Sequence, residues 1–211
     1  MALAGDIQRA GTPYRYAGDG STLKGIVMKR LASALLLSLC SLYLLSLSPL
    51  ASAALKPGDK APDFSAQASL GGQVSTFSLA EALKKGPVVL YFYPAAFTTG
   101  CTIEAHLFAE AIDRYKALGA TVIGVSNDKI ETLNKFSVSE CRSKFAVAAD
   151  TDQKIMKSYD AVMQSKSDYA SRTSYVIAPD KSIIYEYSSP SPDKHVENTL
   201  QALQQWTTKH K

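Results

Sequence analysis

The side chains with the clearest capacity for chemistry lie in a short segment from Pro94 to Glu104 of this 211-residue sequence. Cys101 directly follows Gly100 and comes three residues after Thr98, between an apolar run and an amphipathic segment. This arrangement predicts a cysteine in the first turn of a helix, where unpaired backbone N–H groups and the helix dipole favour the nucleophilic thiolate. Thr98 is placed to direct its hydroxyl at the sulfur or at a substrate oxygen, and Gly100 permits close backbone approach. These residues alone leave two interpretations open, a reactive thiol and an inert packing cysteine.

The segments on either side of this cysteine alternate between predicted strands and predicted helices. Most of the predicted strand segments are rich in β-branched or aromatic residues; the segments are 74–78, 87–93, 120–125, 146–149, 173–178 and 182–187. Helix segments have helical apolar spacing or a helix-start pattern, and they comprise 79–85, 101–118, 128–141, 152–159 and 193–208. The pattern Asp128-x-x-Glu131 predicts a capped start for the third of these helices. The order predicts an α/β three-layer sandwich with a mixed central sheet, a layout shared by thioredoxin-like and other three-layer folds.

Composition and charge exclude several other classes of protein. Hydrophobic residues make up 46% and charged residues 20%, which is ordinary for a soluble globular protein and argues against disorder. Three cysteines are too few for a disulfide scaffold, and three cysteines with three histidines offer no zinc quartet at a usual spacing. A net charge of +4 argues against nucleic acid as the main partner.

The N-terminal segment 28–53 has the pattern of a secretory signal peptide. Two basic residues precede a leucine-rich stretch, and residues 51–53 form an Ala-Ser-Ala cleavage site. The alternative is an uncleaved membrane anchor, although the serine-interrupted apolar core is shorter than the ~20 residues that a span requires. Residues 1–27 are interpreted as an over-extended start or a disordered extension. We therefore expect a mature domain at 54–211 that is exported to a bacterial periplasm and is not stably associated with the membrane.

The segment Pro94-x-x-x-Thr98-x-x-Cys101 resembles the active-site motif of the peroxiredoxin family in all three fixed positions. The segment Arg172-Thr-Ser-Tyr-Val-Ile resembles the one that supplies the active-site arginine of that family. Membership of this family implies a thioredoxin-like fold.

The resemblance extends over residues 56–206. The opening segment 57–64, Pro-Gly-Asp-Lys-Ala-Pro-Asp-Phe, is also typical of the family. Segment 190–196, Pro-Ser-Pro-Asp-Lys-His-Val, is similar to the peroxiredoxin Q branch, which is also called the bacterioferritin comigratory protein branch. The chain therefore looks closest to that branch.

The resemblance implies a role for each matching side chain. Cys101 would attack the terminal peroxide oxygen and become a sulfenic acid. Arg172 would stabilise the thiolate and polarise the O–O bond, and Thr98 would form a hydrogen bond with the peroxide. Pro94 would shield the site from water, and Glu104 would orient Arg172. The alternatives are a surface arginine at 172 and a solvent-facing glutamate at 104.

One position departs from the pattern of the branch. Many members have a second cysteine five residues after the first, where this chain has His106. His106 is interpreted as a helix-surface side chain. The candidate for a resolving thiol is then Cys141, at the end of the following helix, and an oxidising compartment would allow a cycle through a disulfide. The alternative is an incidental thiol at Cys141, with one-cysteine chemistry at Cys101.

These features together predict an exported thiol peroxidase that reduces hydrogen peroxide and organic hydroperoxides. A thioredoxin-type or other thiol reductant would recycle it, and the protein would be a monomer or a weak dimer without metal, haem or flavin. A thiol–disulfide oxidoreductase is a second possibility, but that chemistry needs a Cys-x-x-Cys turn, which the sequence lacks. A third is a non-catalytic binding module of the same fold, such as a metal-delivery protein, against which the intact Pro, Thr, Cys and Arg set argues.

Overall fold

The computed structural model describes residues 54–210, so the predicted signal peptide and the extension before it lie outside the described residues. This part of the chain contains seven strands and five helices. The strands are β1 (Ser65–Leu70), β2 (Gln73–Ser78), β3 (Val88–Phe92), β4 (Thr121–Ser126), β5 (Ala146–Ala149), β6 (Thr173–Ile177) and β7 (Ile183–Ser188). The helices are α1 (Leu79–Leu83), α2 (Thr99–Ala117), α3 (Ile130–Ser139), α4 (Lys154–Ser158) and α5 (His195–Lys209).

The strands form one mixed sheet in the order β2-β1-β5-β4-β3-β6-β7. Strand β3 pairs in parallel with β4 and antiparallel with β6, and all five of its residues are buried. A strand buried on both faces explains its continuous apolar sequence. The predicted mixed sheet, with residues 88–92 as a central strand, is confirmed.

The sheet separates two hydrophobic cores because successive side chains of β3 point to opposite faces. Val89 and Tyr91 pack in a cluster with buried residues of α2, α3 and α5. Val88 and Leu90 pack in the other cluster, with buried residues of α1 and α4. The predicted three-layer α/β sandwich is therefore confirmed, with the longer helices on the face that includes Cys101.

Strand β1 is an element that the sequence pattern did not predict. Its sequence, Ser-Ala-Gln-Ala-Ser-Leu, is made of small and polar residues with weak β-propensity. It forms because it pairs antiparallel with β2 on one side and with β5 on the other, so tertiary pairing overrides local preference. Within residues 54–210, none of the helices combines the length and apolar character needed to cross a membrane.

Candidate active site

Cys101 lies at the junction between the central strand and the longest helix. Strand β3 ends at Phe92, the chain runs through a loop, and α2 begins at Thr99 with Thr98 as its N-cap residue. Cys101 is therefore in the first helical turn, as predicted, and it is only 2% exposed. The backbone N–H groups of that turn have no intrahelical acceptor, so they and the helix dipole stabilise negative charge on the sulfur.

A carboxylate from the segment that follows the neighbouring strand β4 holds the loop before Cys101. Oδ2 of Asp128 accepts hydrogen bonds from the backbone N–H of Ala96 at 2.7 Å and from the hydroxyl of Ser126 at 2.8 Å. The prediction that Asp128 caps α3 is therefore wrong. Lys129 is the N-cap residue, and no side chain caps the helix, because the carboxylate is committed to the active-site loop.

The same loop contains a residue in an uncommon backbone conformation. Phe97 has a φ of 63°, in the left-handed region that bulky residues rarely adopt. Its ring makes an edge-on contact with Phe136 of α3, with the ring centroids 5.2 Å apart. The loop is thus held at Ala96 by a hydrogen bond and at Phe97 by ring packing.

Thr98 is exposed at the mouth of the site, and its hydroxyl already has one partner. Oγ1 donates to the carbonyl oxygen of Ala95 at 3.0 Å. The sequence left open whether this hydroxyl faces the sulfur or a substrate. With its proton directed at Ala95, the Thr98 oxygen has lone pairs available to accept a hydrogen bond from a peroxide O–H.

Arg172 lies directly before β6 and directs its guanidinium at Cys101. The side chain is 8% exposed, which contradicts the alternative of a surface arginine. Nη2 donates to Sγ of Cys101 at 3.4 Å, Nη1 donates to Oε2 of Glu104, and Nε donates to the carbonyl oxygen of Pro190 at 3.1 Å. A Cβ atom on Gly100 would lie 3.0 Å from Nη2, so a glycine at that position leaves room for the guanidinium. The three contacts fix the plane and direction of the arginine fork.

Glu104 is fully buried, which excludes the alternative of a solvent-facing glutamate. Burial raises the pKa of Glu104 to about 8, and Arg172 partly offsets this increase. Among the described residues, its second oxygen, Oε1, has no hydrogen-bond partner. Because one guanidinium balances one negative charge, a protonated Glu104 leaves the positive charge of Arg172 available to Cys101.

Pro94 forms part of the wall of an open cavity of about 410 Å³ beside the guanidinium. The cavity is also lined by Arg172, Met163 and the serine-rich segment that precedes Pro190. The cavity therefore gives access to Arg172, which contacts the buried sulfur of Cys101. The shielding role expected of Pro94 stays a prediction.

Cys141 lies just beyond α3, near the end of the predicted helix, and it is completely buried. Both it and Cys101 are free thiols, and both belong to the hydrophobic cluster that contains Tyr91 and Tyr93. Burial raises the pKa of Cys141 well above its ordinary value, so this thiol is unreactive in the folded arrangement. A reaction between the two sulfurs therefore requires local rearrangement.

His106, which occupies the position of the second cysteine in many relatives, lies on the surface of α2. Its side chain is 36% exposed, and Nε2 is 2.8 Å from Oε2 of Glu140, the residue before Cys141. The interpretation as a helix-surface side chain holds, with the addition of this contact to the end of α3. Within residues 54–210, His, Cys, Asp and Glu side chains do not form a group that could hold a metal ion.

Sequence reasoning missed two parts of the site. Asp128 was assigned to helix capping, and no local pattern indicates that it reaches across to Ala96. The carbonyl of Pro190 is a backbone partner of Arg172 that side-chain patterns do not reveal. Resemblance to the branch did mark the segment 190–196, although without a role for it.

Comparison with known proteins agrees with this geometry. Residues 57–186 match the family model described as AhpC/TSA family. A peroxiredoxin Q of chloroplasts from Oryza sativa subsp. japonica is 32% identical over 148 residues, or 70% of this chain and 66% of that protein. A peroxiredoxin Q of chloroplasts from Sedum lineare is 30% identical over 148 residues, which cover 70% of this chain and 77% of that protein. The match thus spans slightly less than two thirds of the length of the rice relative.

Solved structures give the same result for the fold. Peroxidoxin BcpB from Mycobacterium tuberculosis has a TM-score of 0.65 and 29% identity, and the match covers 72% of this chain and 97% of that one. A cysteine-to-serine mutant of PrxQ from Xylella fastidiosa has a TM-score of 0.66 and covers 73% of this chain and 98% of its own, but its 22% identity supports the fold alone. The arrangement of Cys101, Arg172 and Glu104 on this fold, together with the match over residues 57–186, shows that the chain is a peroxiredoxin of the AhpC/TSA family, similar to its peroxiredoxin Q members.

Proposed function

We propose that this protein is a thiol peroxidase that reduces hydrogen peroxide and organic hydroperoxides. The Cys101 thiolate attacks the terminal oxygen of the peroxide, so that an S–O bond forms and the O–O bond breaks. Sulfur is oxidised by two electrons to the sulfenic acid, and the departing oxygen takes a proton and leaves as water or an alcohol. The guanidinium of Arg172 and the N–H groups of the first turn stabilise the negative charge that develops on that oxygen.

The observation that supports this reaction best is the position of Arg172. Its Nη2 is 3.4 Å from the sulfur of Cys101, its Nη1 is held by Glu104, and both partners are buried. A permanent cation in this position stabilises the thiolate without a metal, and it remains beside the oxygen that leaves. A packing cysteine needs none of these contacts, whereas a peroxidatic cysteine needs all of them.

Cys141 is proposed as the resolving thiol. It attacks the sulfenic sulfur of Cys101, which forms a disulfide and releases water, and a dithiol reductant of the thioredoxin type then restores both thiols by exchange. Because Cys141 is buried, the step requires the end of α3 and the first turn of α2 to open. Two contacts resist that opening: the backbone N–H of Gly72 donates to Oγ of Ser137, and His106 contacts Glu140.

The cellular setting is also part of the proposal. The pattern of residues 28–53 supports export to a bacterial periplasm after cleavage near residue 54, with an uncleaved membrane anchor as the alternative. The mature protein is expected to act as a monomer or weak dimer. N-terminal sequencing of material secreted from a bacterial host tests the proposed cleavage near residue 54. A product that begins at Met1 or Met28 would contradict cleavage.

The test of the function is peroxide consumption by the full chain with a thioredoxin-type reductant, compared with Cys101→Ser. The serine hydroxyl is nearly isosteric but does not ionise near neutral pH, so turnover is expected to disappear while the fold remains. Insulin reduction without peroxide consumption would instead indicate a thiol–disulfide oxidoreductase. Neither activity from a folded protein would indicate a binding module.

A further inference from the structure

His195, the first residue of α5, is buried beside the active site and uses both ring nitrogens. Nε2 is 3.1 Å from the carbonyl oxygen of Ser189, and Nδ1 is 2.8 Å from the hydroxyl oxygen of Ser174. A carbonyl oxygen can only accept, so Nε2 carries the proton of the ring and Nδ1 accepts from the hydroxyl of Ser174. Burial lowers the pKa of His195 to about 4, in keeping with a neutral ring.

These two hydrogen bonds hold the chain on both sides of Arg172. Ser174 lies two residues after the arginine in β6. Ser189 begins a segment, residues 189–194, that we call the strap. The backbone N–H of Ser189 donates to the carbonyl oxygen of Arg172 at 3.1 Å, and the carbonyl of Pro190 accepts from Nε of Arg172 at 3.1 Å. The imidazole therefore links strand β6, which directly follows Arg172, to the strap that holds its Nε.

The strap restrains Arg172 against a competing arrangement inside the site. Oε1 of Glu104 is buried and accepts no hydrogen bond among the described residues, although it lies 3.7 Å from Nδ1 of His195, while Oε2 already accepts from Nη1. An arginine fork pairs readily with both oxygens of one carboxylate. If the guanidinium turned to make that two-fold contact with Glu104, Nη2 would leave the sulfur of Cys101. The Pro190 carbonyl on Nε opposes this rotation, since it fixes the plane of the fork.

We propose that His195 is a positioning residue for peroxide reduction. Its Nε2–H holds Ser189 and therefore the Pro190 carbonyl in place, which keeps the guanidinium of Arg172 directed at Cys101. This inference rests on the proposed peroxidase function. It assigns the Ser189 contact, rather than the Ser174 contact, as the one that acts on the reaction.

A purely structural role for His195 is the competing explanation. The ring packs edge-on against Tyr187 with centroids 4.8 Å apart, and the carbonyl of His195 accepts from the hydroxyl of Thr199 at 2.6 Å. Thr199 also bonds the hydroxyl of Tyr115 at 2.7 Å. Any change at residue 195 that merely loosened α5 would lower stability, whereas loss of positioning would slow the chemistry in a protein that is still folded.

Two variants of His195 separate these roles because their amides reach different distances. In His195→Gln the terminal amide nitrogen occupies nearly the place of Nε2 and donates to Ser189. In His195→Asn the amide extends only as far as Nδ1, so the Ser189 contact is lost. Thr199→Val is the matched control, since it removes hydrogen bonds that anchor the same helix without touching the strap.

The experiment measures the single-turnover rate of Cys101 oxidation by hydrogen peroxide, the rate of Cys101 alkylation by iodoacetamide, and the melting temperature of the full chain. His195→Asn is expected to slow oxidation about tenfold and to slow alkylation, because loss of one buried hydrogen bond changes the free energy by about 1–1.5 kcal/mol. His195→Gln is expected to stay within about threefold of wild type, since the contact is kept. Thr199→Val is expected to melt earlier and to react at the wild-type rate.

Equal rates for the Gln and Asn variants would overturn the proposal, as would a Thr199→Val variant slowed as much as His195→Asn. If His195→Asn does not fold, the His195→Gln variant decides the question. A folded His195→Gln variant that is slowed tenfold or more would overturn the proposal. Failure of the peroxidase function itself gives a different result, namely an unaltered chain that does not consume peroxide.

Discussion

Removal of the guanidinium by Arg172→Ala tests the electrostatic basis of the site. The substitution deletes the donor to Cys101 Sγ, the partner of Glu104 and the group that would stabilise the leaving oxygen. The fold is expected to tolerate the change because burial raises the pKa of Glu104 to about 8 even with Arg172 beside it, so the carboxyl is mostly protonated near neutral pH and does not need a cationic partner. The effect should therefore appear in the chemistry more than in the stability.

The magnitude follows from the distance between the guanidinium and the sulfur. At 3.4 Å, and with an effective dielectric constant of about 20, a thiolate and a guanidinium attract each other by about 5 kcal/mol. Desolvation of the two buried groups offsets part of this attraction, and if it offsets roughly half, about 2.5 kcal/mol, or nearly a hundredfold, remains for the thiolate. Loss of the donor to the leaving oxygen adds a further factor of about ten or more. We expect peroxide oxidation of Cys101 to slow by about three orders of magnitude.

Two reagents separate these contributions in a stopped-flow or quenched assay near neutral pH. Alkylation by iodoacetamide needs only the thiolate, so Arg172→Ala should slow it less than it slows oxidation by peroxide. Arg142→Ala is the matched control, because the side chain of Arg142 is 47% exposed and pairs with Glu110 on the surface. If Arg172→Ala oxidises within tenfold of wild type, or if both reagents slow equally, the assigned role of the guanidinium in peroxide activation is wrong.

Three further predictions concern the neighbouring residues. Cys141→Ser is expected to consume one equivalent of peroxide and then stall or over-oxidise with a thioredoxin-type reductant; turnover at the wild-type rate would make Cys141 a bystander. Gly100→Ala should slow peroxide oxidation about tenfold, because the new Cβ would lie 3.0 Å from Nη2 of Arg172 and displace the guanidinium. The melting temperature should not fall, because alanine favours the helix more than glycine does. Oxidation at the wild-type rate would contradict this prediction. Because burial raises the pKa of Glu104 to about 8, its protonated form stabilises the fold fully below about pH 4.5, and this contribution is lost as the pH rises through 8. As the pH rises from about 4.5 to 8, urea unfolding should therefore show Glu104→Gln gaining stability relative to wild type. If the difference in unfolding free energy between the two proteins does not change with pH, the burial effect is wrong.

Much of the site could be predicted from sequence because its essential geometry is local. A strand of continuous apolar residues, a short loop and an amphipathic helix place Cys101 in the first helical turn, whatever the rest of the chain does. Arg172 is distant in sequence, and only its resemblance to a family segment connected it to the cysteine. The structure brings the two together because β3 pairs antiparallel with β6.

The features that sequence did not reveal depend on contacts between distant segments. Asp128 has the spacing of a helix cap, yet the Ala96 N–H and the Ser126 hydroxyl bind its carboxylate instead. Strand β1 has weak intrinsic preference and forms through pairing on both sides. Ser137 of α3 is buried and accepts a hydrogen bond from the backbone N–H of Gly72, a contact that its polar sequence neighbours do not reveal. Local pattern does not indicate which polar groups find a partner across the fold.

The central claim is that peroxide oxidises the sulfur of Cys101. Trapping the sulfenic acid of that residue tests the claim most directly. The Cys141→Ser chain is treated with one equivalent of hydrogen peroxide in the presence of dimedone, and the peptides are identified by mass spectrometry. We predict one dimedone adduct at Cys101, and none when Cys101→Ser is treated in the same way. An unlabelled Cys101 in a protein that still consumes the peroxide would contradict the account.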